Sequence, residues 1–303
     1  MRTRYLLWAL LALAITSCQG GKTGAGDGGD TVKMKYAQLL TIVKHGGEYA
    51  EHDGEYAEVT IANPWKKGTL LHRYILVPKG EEGNKTVARL AMQRSSGARC
   101  ITDTVRTPVE NSAVFTSPHC QLLYELGCGQ AIRGVCDLDY INIPDVKKRA
   151  ASAGNHGSSS AIADCGSSMA PDIERIIALK PETILVSPFE NSGGYGKLDK
   201  LHIPLIEVAD YMEASPLGRA EWMKFYGMLF EKSDAKDSKA GIFQSKADSL
   251  FAKIEKEYLN LKAAAKKLPA GLSVLTERKT GSVWYVPGGQ STIGILLKDA
   301  NAR

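Results

Sequence analysis

Pro171-Asp172-Ile173-Glu174-Arg175-Ile176-Ile177-Ala178-Leu179-Lys180-Pro181-Glu182-Thr183-Ile184-Leu185-Val186-Ser187 is the run on which the fold turns. Its first half spaces Ile173, Ile176, Ile177 and Leu179 as one face of a helix. Pro181 cannot continue that helix. Residues 183–187 then form a short apolar run of the kind found in strands covered on both faces. Helix followed by buried strand is the repeating unit of an α/β sheet with parallel strands.

The same alternation extends outward. Upstream, residues 112–116 read as a short apolar strand leading into Ser117-Pro118-His119, residues 120–126 as a helix stopped by Gly127, and residues 131–135 as a strand. Downstream, residues 198–201 read as a short helix and Pro204-Leu205-Ile206-Glu207-Val208 as another strand. Helices then dominate. Ser215-Pro216 is a start signal, with Ser as cap and Pro at the first helical position. Trp222, Phe225, Tyr226 and Leu229 share one face of a helix over residues 218–231. Asp234 is expected to cap a second helix reaching about Lys267, before Pro269. Residues 271–276 and 283–286 read as strands, and 293–298 as the start of a helix. Before all this, residues 36–106 alternate in strand fashion, with 55–61, 70–78 and 85–92 expected as three strands of a small antiparallel sheet.

The amino terminus has a different purpose. Arg2 and Arg4 precede an apolar run over residues 5–15, closed by Ile15-Thr16-Ser17-Cys18. The run is shorter than the roughly 20 residues a membrane-spanning helix needs, and it reads as a signal peptide. Residues 19–30 hold no apolar side chain larger than Ala25, so they are expected to act as a flexible tether. Gly20-Gly21-Lys22-Thr23 lacks the flanking strand and helix of a phosphate loop and is set aside.

The formal net charge is +5, and losing Arg2 and Arg4 with the signal lowers it by two. That balance does not mark a nucleic-acid binder, which concentrates basic residues on one face. Cys100, Cys120, Cys128, Cys136 and Cys165 follow Cys18 without any Cys-x-x-Cys pair. Structural zinc favours such pairs, so most of these are expected to be buried small side chains. No Gly-x-Ser-x-Gly elbow is present, since the run Gly289-Gln290-Ser291-Thr292-Ile293 misses its last glycine, and no His-Glu-x-x-His occurs. An enzyme is not expected.

The residue 171–187 block resembles the hallmark of class III (cluster A-II) substrate-binding proteins, which serve importers of ferric siderophores, haem and vitamin B12. Asp172 and Glu182 stand where the family usually has Asn and Asp. Tyr211-Met212-Glu213 with Pro216-Leu217-Gly218-Arg219-Ala220-Glu221-Trp222 resembles the start of the interlobe helix in Bacteroidetes-type members. Trp284-Tyr285-Val286-Pro287-Gly288-Gly289-Gln290-Ser291 resembles the opening of the second lobe. Residues 15–18 resemble a lipobox, which implies cleavage before Cys18 and its lipidation.

The resemblance implies an α/β, two-lobe fold with a rigid interlobe helix. The expected segments are a signal peptide over 1–17, a tether over 18–35, an amino-terminal lobe over 36–214, interlobe helices over 215–268 and the start of a second lobe over 269–303. Members usually carry a far longer run than 271–303 for that lobe, so it is expected to be incomplete, with an open apolar edge. The implied partners are an ABC permease and its ATPase, with the membrane reached through the lipid anchor. Glu174 matches the position that salt-bridges to the permease. Ligands of α/β folds sit at strand carboxyl ends, which selects Ser117, His119, Asn191, Tyr195, Trp284 and Tyr285 as ligand contacts. Arg219 and Glu221 are expected to form a surface pair. Only His119 and Glu190 among the cleft loops could ligate a bare metal, too few for a coordination shell. The expected ligand is therefore a metal chelate, with a ferric siderophore ahead of haem and cobalamin, and no resident cofactor.

Overall fold

The computed structural model describes residues 29–46, 54–93, 102–152, 160–190, 194–232, 246–269, 271 and 273–302. The signal segment, Cys18, Cys100, Asn191 and the expected cap at Asp234 lie outside them.

Five strands make the first sheet in sequential order: β1 (Asp30–Val32), β2 (Leu40–His45), β3 (Tyr56–Ala62), β4 (Leu70–Pro78) and β5 (Thr102–Thr107). Neighbours are antiparallel except β4 and β5, which are parallel. A parallel pair needs a crossover rather than a tight turn, and this one contains the helix α1 (Glu81–Gln93). The strand expected over residues 85–92 is thus a helix. Gly83, Thr86, Val87 and Leu90 turn inward at helical spacing while Lys85, Ala88 and Met92 face solvent. The crossover between parallel strands, not the short local alternation, selected the helix. Asp30–Val32, expected inside the tether, is also a strand, held on β2.

The second sheet is parallel throughout, in the order β12-β11-β6-β7-β8. It comprises β6 (Ser112–Val114), β7 (Ile132–Val135), β8 (Ala163–Asp164), β11 (Thr183–Val186) and β12 (Leu205–Glu207), with a small hairpin β9 (Gly166–Ser167) and β10 (Ala170–Pro171) beside it. The helices α2 (Ser117–Glu125), α3 (Pro144–Ala151) and α4 (Ile173–Leu179) connect these strands. Both faces are covered. Val114, Val135, Leu185 and Ile206 pack toward the first sheet and α2. Ala113, Cys136, Cys165, Ile184 and Val186 pack toward Ile176 of α4. Burial on two faces is why these strands read as continuous apolar runs. Gly127 ends α2 as expected, at φ +77, and its N–H bonds the Tyr124 carbonyl at 2.9 Å.

The aromatic helix is two pieces, α5 (Pro216–Glu221) and α6 (Met223–Phe230). Trp222 between them bonds back three residues to Arg219, a tightened turn. Ser215 caps α5 by accepting the Gly218 N–H at 2.9 Å. Trp222, Phe225, Tyr226 and Leu229 are all core residues, as their spacing required. α7 (Lys246–Ala265) packs on α6 through Ala247 and Phe251. Beyond it, α8 (Thr292–Asp299) forms as expected. The strands expected over 271–276 and 283–286 do not; among the described residues there is one isolated bridge, Thr280 to Val283. Extended segments become strands only where a neighbouring ladder takes their N–H and carbonyl groups, and among the described residues none lies beside these.

The entering chain is fixed by two buried carboxylates. Glu221 accepts the backbone N–H groups of Lys35, Tyr36 and Ala37 at 2.8–3.0 Å, and the Lys224 ammonium at 2.9 Å. Glu213 accepts those of Gln38 and Leu39, both at 2.9 Å, and the indole N–H of Trp222, also at 2.9 Å. The expected surface pair of Arg219 with Glu221 is therefore absent: Glu221 is 0 % exposed, and Arg219 lies 3.6 Å from Asp210. Five consecutive N–H groups thus take these two buried side chains as their acceptors.

Candidate functional site

In the parallel sheet the chain runs from β6 outward to β7 and β8, then returns to β11 and β12 on the other side. Its direction reverses between β6 and β11. Such a switch point leaves a crevice at the strand carboxyl ends, since the flanking loops diverge. Ser117 follows β6, and residues 187–190 and 194–197 follow β11, so these residues stand at the carboxyl ends of the two strands. Residues 208–213 after β12 complete the edge.

Ser117 is half-buried at the start of α2. His119, two residues on, is 3 % exposed and packs against Tyr226 with ring centroids 6.0 Å apart. Burial, with the nearby Arg219 guanidinium, pushes its pKa down to about 4. Its ring is neutral and turned into the protein, behind the rim of the crevice. Asp210 lies 4.0 Å from His119 Nε2 and within 3.6 Å of Arg219 Nε. Burial raises the Asp210 pKa against the pull of Arg219.

Tyr195 belongs to the rim but is not loose within it. It is half-buried against the core cluster on this face of the parallel sheet, its N–H donates to Asp199 at 2.8 Å, and its hydroxyl donates to Glu207 at 2.9 Å. Burial first, and the Glu207 charge second, raise its pKa, so the phenol keeps its proton. The Tyr211 hydroxyl donates to the Pro188 carbonyl and ties the post-β12 turn to the post-β11 loop.

Trp284 and Tyr285 are 40 % and 79 % exposed. They lie on the segment leading to α8, which is joined to the rest by the Thr292 hydroxyl donating to the Glu213 carbonyl at 2.7 Å. The structure thus brings Ser117, His119 and Tyr195 to one edge, while Trp284 and Tyr285 stand on a separate segment. Glu174 sits on the first turn of α4, exposed. Asp172 caps that helix by accepting the Arg175 N–H at 3.1 Å, and its carboxylate also pairs with the Arg175 side chain. Cys120, Cys136 and Cys165 are buried free thiols, and Cys128 is half-buried and free. Burial pushes Cys120 up to about 12, the behaviour of an inert core thiol.

Sequence reasoning missed His72, Asp103 and Glu207, which meet behind Tyr195. One signal was available: Glu207 is a carboxylate inside an otherwise apolar strand, and a buried charge requires a partner. Nothing along the chain named His72, 135 residues away, as that partner.

A family profile described as periplasmic binding protein matches residues 113–303. An uncharacterised lipoprotein of Methanocaldococcus jannaschii is 30% identical over 135 residues, 44% of this chain and 29% of that protein. The catecholate-siderophore binding protein VctP from Vibrio cholerae is 16% identical, with 65% of this chain and 62% of that one covered and a TM-score of 0.46. The periplasmic haem-binding protein RhuT from Roseiflexus sp. RS-1 is 17% identical over 64% of this chain and 65% of its own, with a TM-score of 0.41. The chain spans less than a third of the curated relative and less than two thirds of either solved structure.

Proposed function

The chain belongs to the periplasmic binding protein family, and from that premise we propose that it is the substrate-binding lipoprotein of an ABC importer, capturing a metal chelate outside the cytoplasm. Proteins of this family bind a solute and do not transform it. The observation that carries the reading is the family match from β6 onward, which takes in the whole parallel sheet and the crevice at its switch point.

Cys18 is the lipidated residue, residues 36–214 the first lobe, 215–268 the connection and 269–303 the beginning of the second. Ligand contacts come from Ser117, Asn191 and Tyr195 on one side and from Trp284 and Tyr285 on the other. His119 supports the rim from behind. Exposed aromatic rings suit a flat or catecholate ligand whose metal already has its coordination filled, because stacking and a few hydrogen bonds then suffice. A ferric siderophore is the first choice, with haem and cobalamin as alternatives. Glu174, exposed on α4, docks on the permease.

Tryptophan fluorescence tests this directly. The full chain is titrated with a ferric tricatecholate, haemin and cyanocobalamin, and separately with free ferric, zinc and manganese ions. Saturable quenching by a chelate, weakened in Trp284→Ala, is expected. Tight binding of a free ion with none of the chelates would show that the ligand class is wrong.

A further inference from the structure

His72, in β4, is 3 % exposed and lies flat on Tyr74, with ring centroids 4.2 Å apart. Its Nδ1 is 2.8 Å from Glu207 Oε2, and its Nε2 is 3.1 Å from Asp103 Oδ2. Glu207 ends β12, and its other oxygen accepts the Tyr195 hydroxyl at 2.9 Å. The Glu207 N–H donates to the Tyr74 oxygen at 2.8 Å, and the Tyr74 hydroxyl donates to the Leu205 carbonyl at 2.7 Å. A polar chain therefore runs Asp103, His72, Glu207, Tyr195. It begins on the edge strand of the first sheet and ends in the Gly-rich loop after β11.

Both imidazole nitrogens face carboxylates. Only the imidazolium can donate to both; a neutral ring turns a lone pair toward one of them. Burial pushes the His72 pKa down, but hydrogen bonds to Asp103 and Glu207 outweigh it and leave the pKa above its ordinary value. Tyr74 and Tyr195 are raised, by burial first and the Glu207 charge next, so each remains a donor. Among the described residues, the titratable groups facing this pair are Asp103 from β5, Glu207 from β12, Tyr74 on β4 and Tyr195 from the loop. The charges of Asp199, which accepts the Tyr195 N–H, and of Tyr211 also act on Tyr195.

We propose that His72 and Asp103 are positioning residues for ligand capture: they hold Glu207 in the orientation that fixes Tyr195, and this hold depends on the proton carried by His72. The proposal rests on the reading of Tyr195 as a ligand-contacting residue. The sign follows from the direction of the shift. A folded pKa above the ordinary histidine value of 6.5 means that the hold is complete below that value. It is lost as pH rises through the folded pKa.

Nuclear magnetic resonance on the full chain, with ring-labelled tyrosine and imidazole-labelled histidine and no ligand present, reads the coupling. The Tyr195 ring signals are expected to move with the same midpoint as His72. In Glu207→Gln, a near-isosteric change, the His72 midpoint falls and Tyr195 no longer follows it. Tyr195 signals that stay still while His72 titrates in the unaltered protein would overturn the proposal, as would an unchanged midpoint in Glu207→Gln.

A second arm measures affinity for the ferric tricatecholate across the same pH span. A loss of about tenfold is expected as His72 deprotonates, the worth of one hydrogen bond to a charged group, and a flat profile in Tyr195→Phe. A flat profile in the unaltered protein sinks the link to capture. If no chelate binds at any pH, the ligand reading fails, and the resonance arm alone still decides whether His72 sets Tyr195.

Discussion

Replacing Glu221 with Ala removes the acceptor that holds the entering chain. The side chain is 0 % exposed, so water does not take its place at the carboxylate. The backbone N–H groups of Lys35, Tyr36 and Ala37 and the Lys224 ammonium all lose a partner at 2.8–3.0 Å. Breaking a buried charged network from one side costs about 3–5 kcal/mol, and the partly exposed strap lets solvent recover some of this, which places the expected loss near the lower end. For a chain of this size that corresponds to roughly 5 °C in Tm. Glu221→Gln is expected to lose less but not to be neutral, because its NH2 group meets donors where the carboxylate met them with oxygen. Burial pushes the Glu221 pKa up, yet the N–H groups of Lys35 and Ala37 and the Lys224 ammonium hold it below the ordinary glutamate value of 4.5. Its stabilisation is therefore present above about pH 4.5 and is lost as pH falls through the folded pKa. Urea unfolding gives the energy, and hydrogen exchange at residues 35–37 locates it. If those amides are as protected in Glu221→Ala as before, or if the loss stays below about 1 kcal/mol, the two-carboxylate clamp is not what holds the strap.

Glu174→Ala is expected to leave stability within about 0.5 kcal/mol and chelate affinity unchanged while slowing uptake in cells; lost affinity with normal uptake per bound ligand would refute its docking role. Labelled palmitate should enter the unaltered protein and not Cys18→Ser, and equal labelling would remove the lipid anchor. Tyr74→Phe strands the Leu205 carbonyl and the Glu207 N–H, both buried, and is expected to cost about 1–3 kcal/mol in urea unfolding. An unchanged midpoint would mean that Tyr74 only packs.

The sequence by itself determined what is written locally. Residues 173–187 placed a helix and a buried strand because helical spacing and a doubly covered strand leave different apolar signatures, and α4 and β11 stand there. Ser215-Pro216 and Gly127 marked helix ends through their own capping and backbone chemistry. The buried face of α6 was legible from the positions of Trp222, Phe225, Tyr226 and Leu229, and the ends of β6 and β11 before Ser117 and Pro188 from the runs that form those strands. Only the tertiary structure decided the rest. Residues 85–92 satisfy both a strand and a helix pattern, and the parallel pairing of β4 with β5 selected the helix. Residues 271–276 and 283–286 carry strand-forming side chains, but a strand exists only beside another. Glu221 looked like a surface residue on its helix until the chain at 35–37, far away in sequence, closed over it. His72, Asp103 and Glu207 are unremarkable one at a time; bringing them into one dry contact shifts the histidine and fixes Tyr195. Charge in water is cheap to leave alone, and charge in a core must find its partner. That requirement acts through space, and no local pattern in the chain records it.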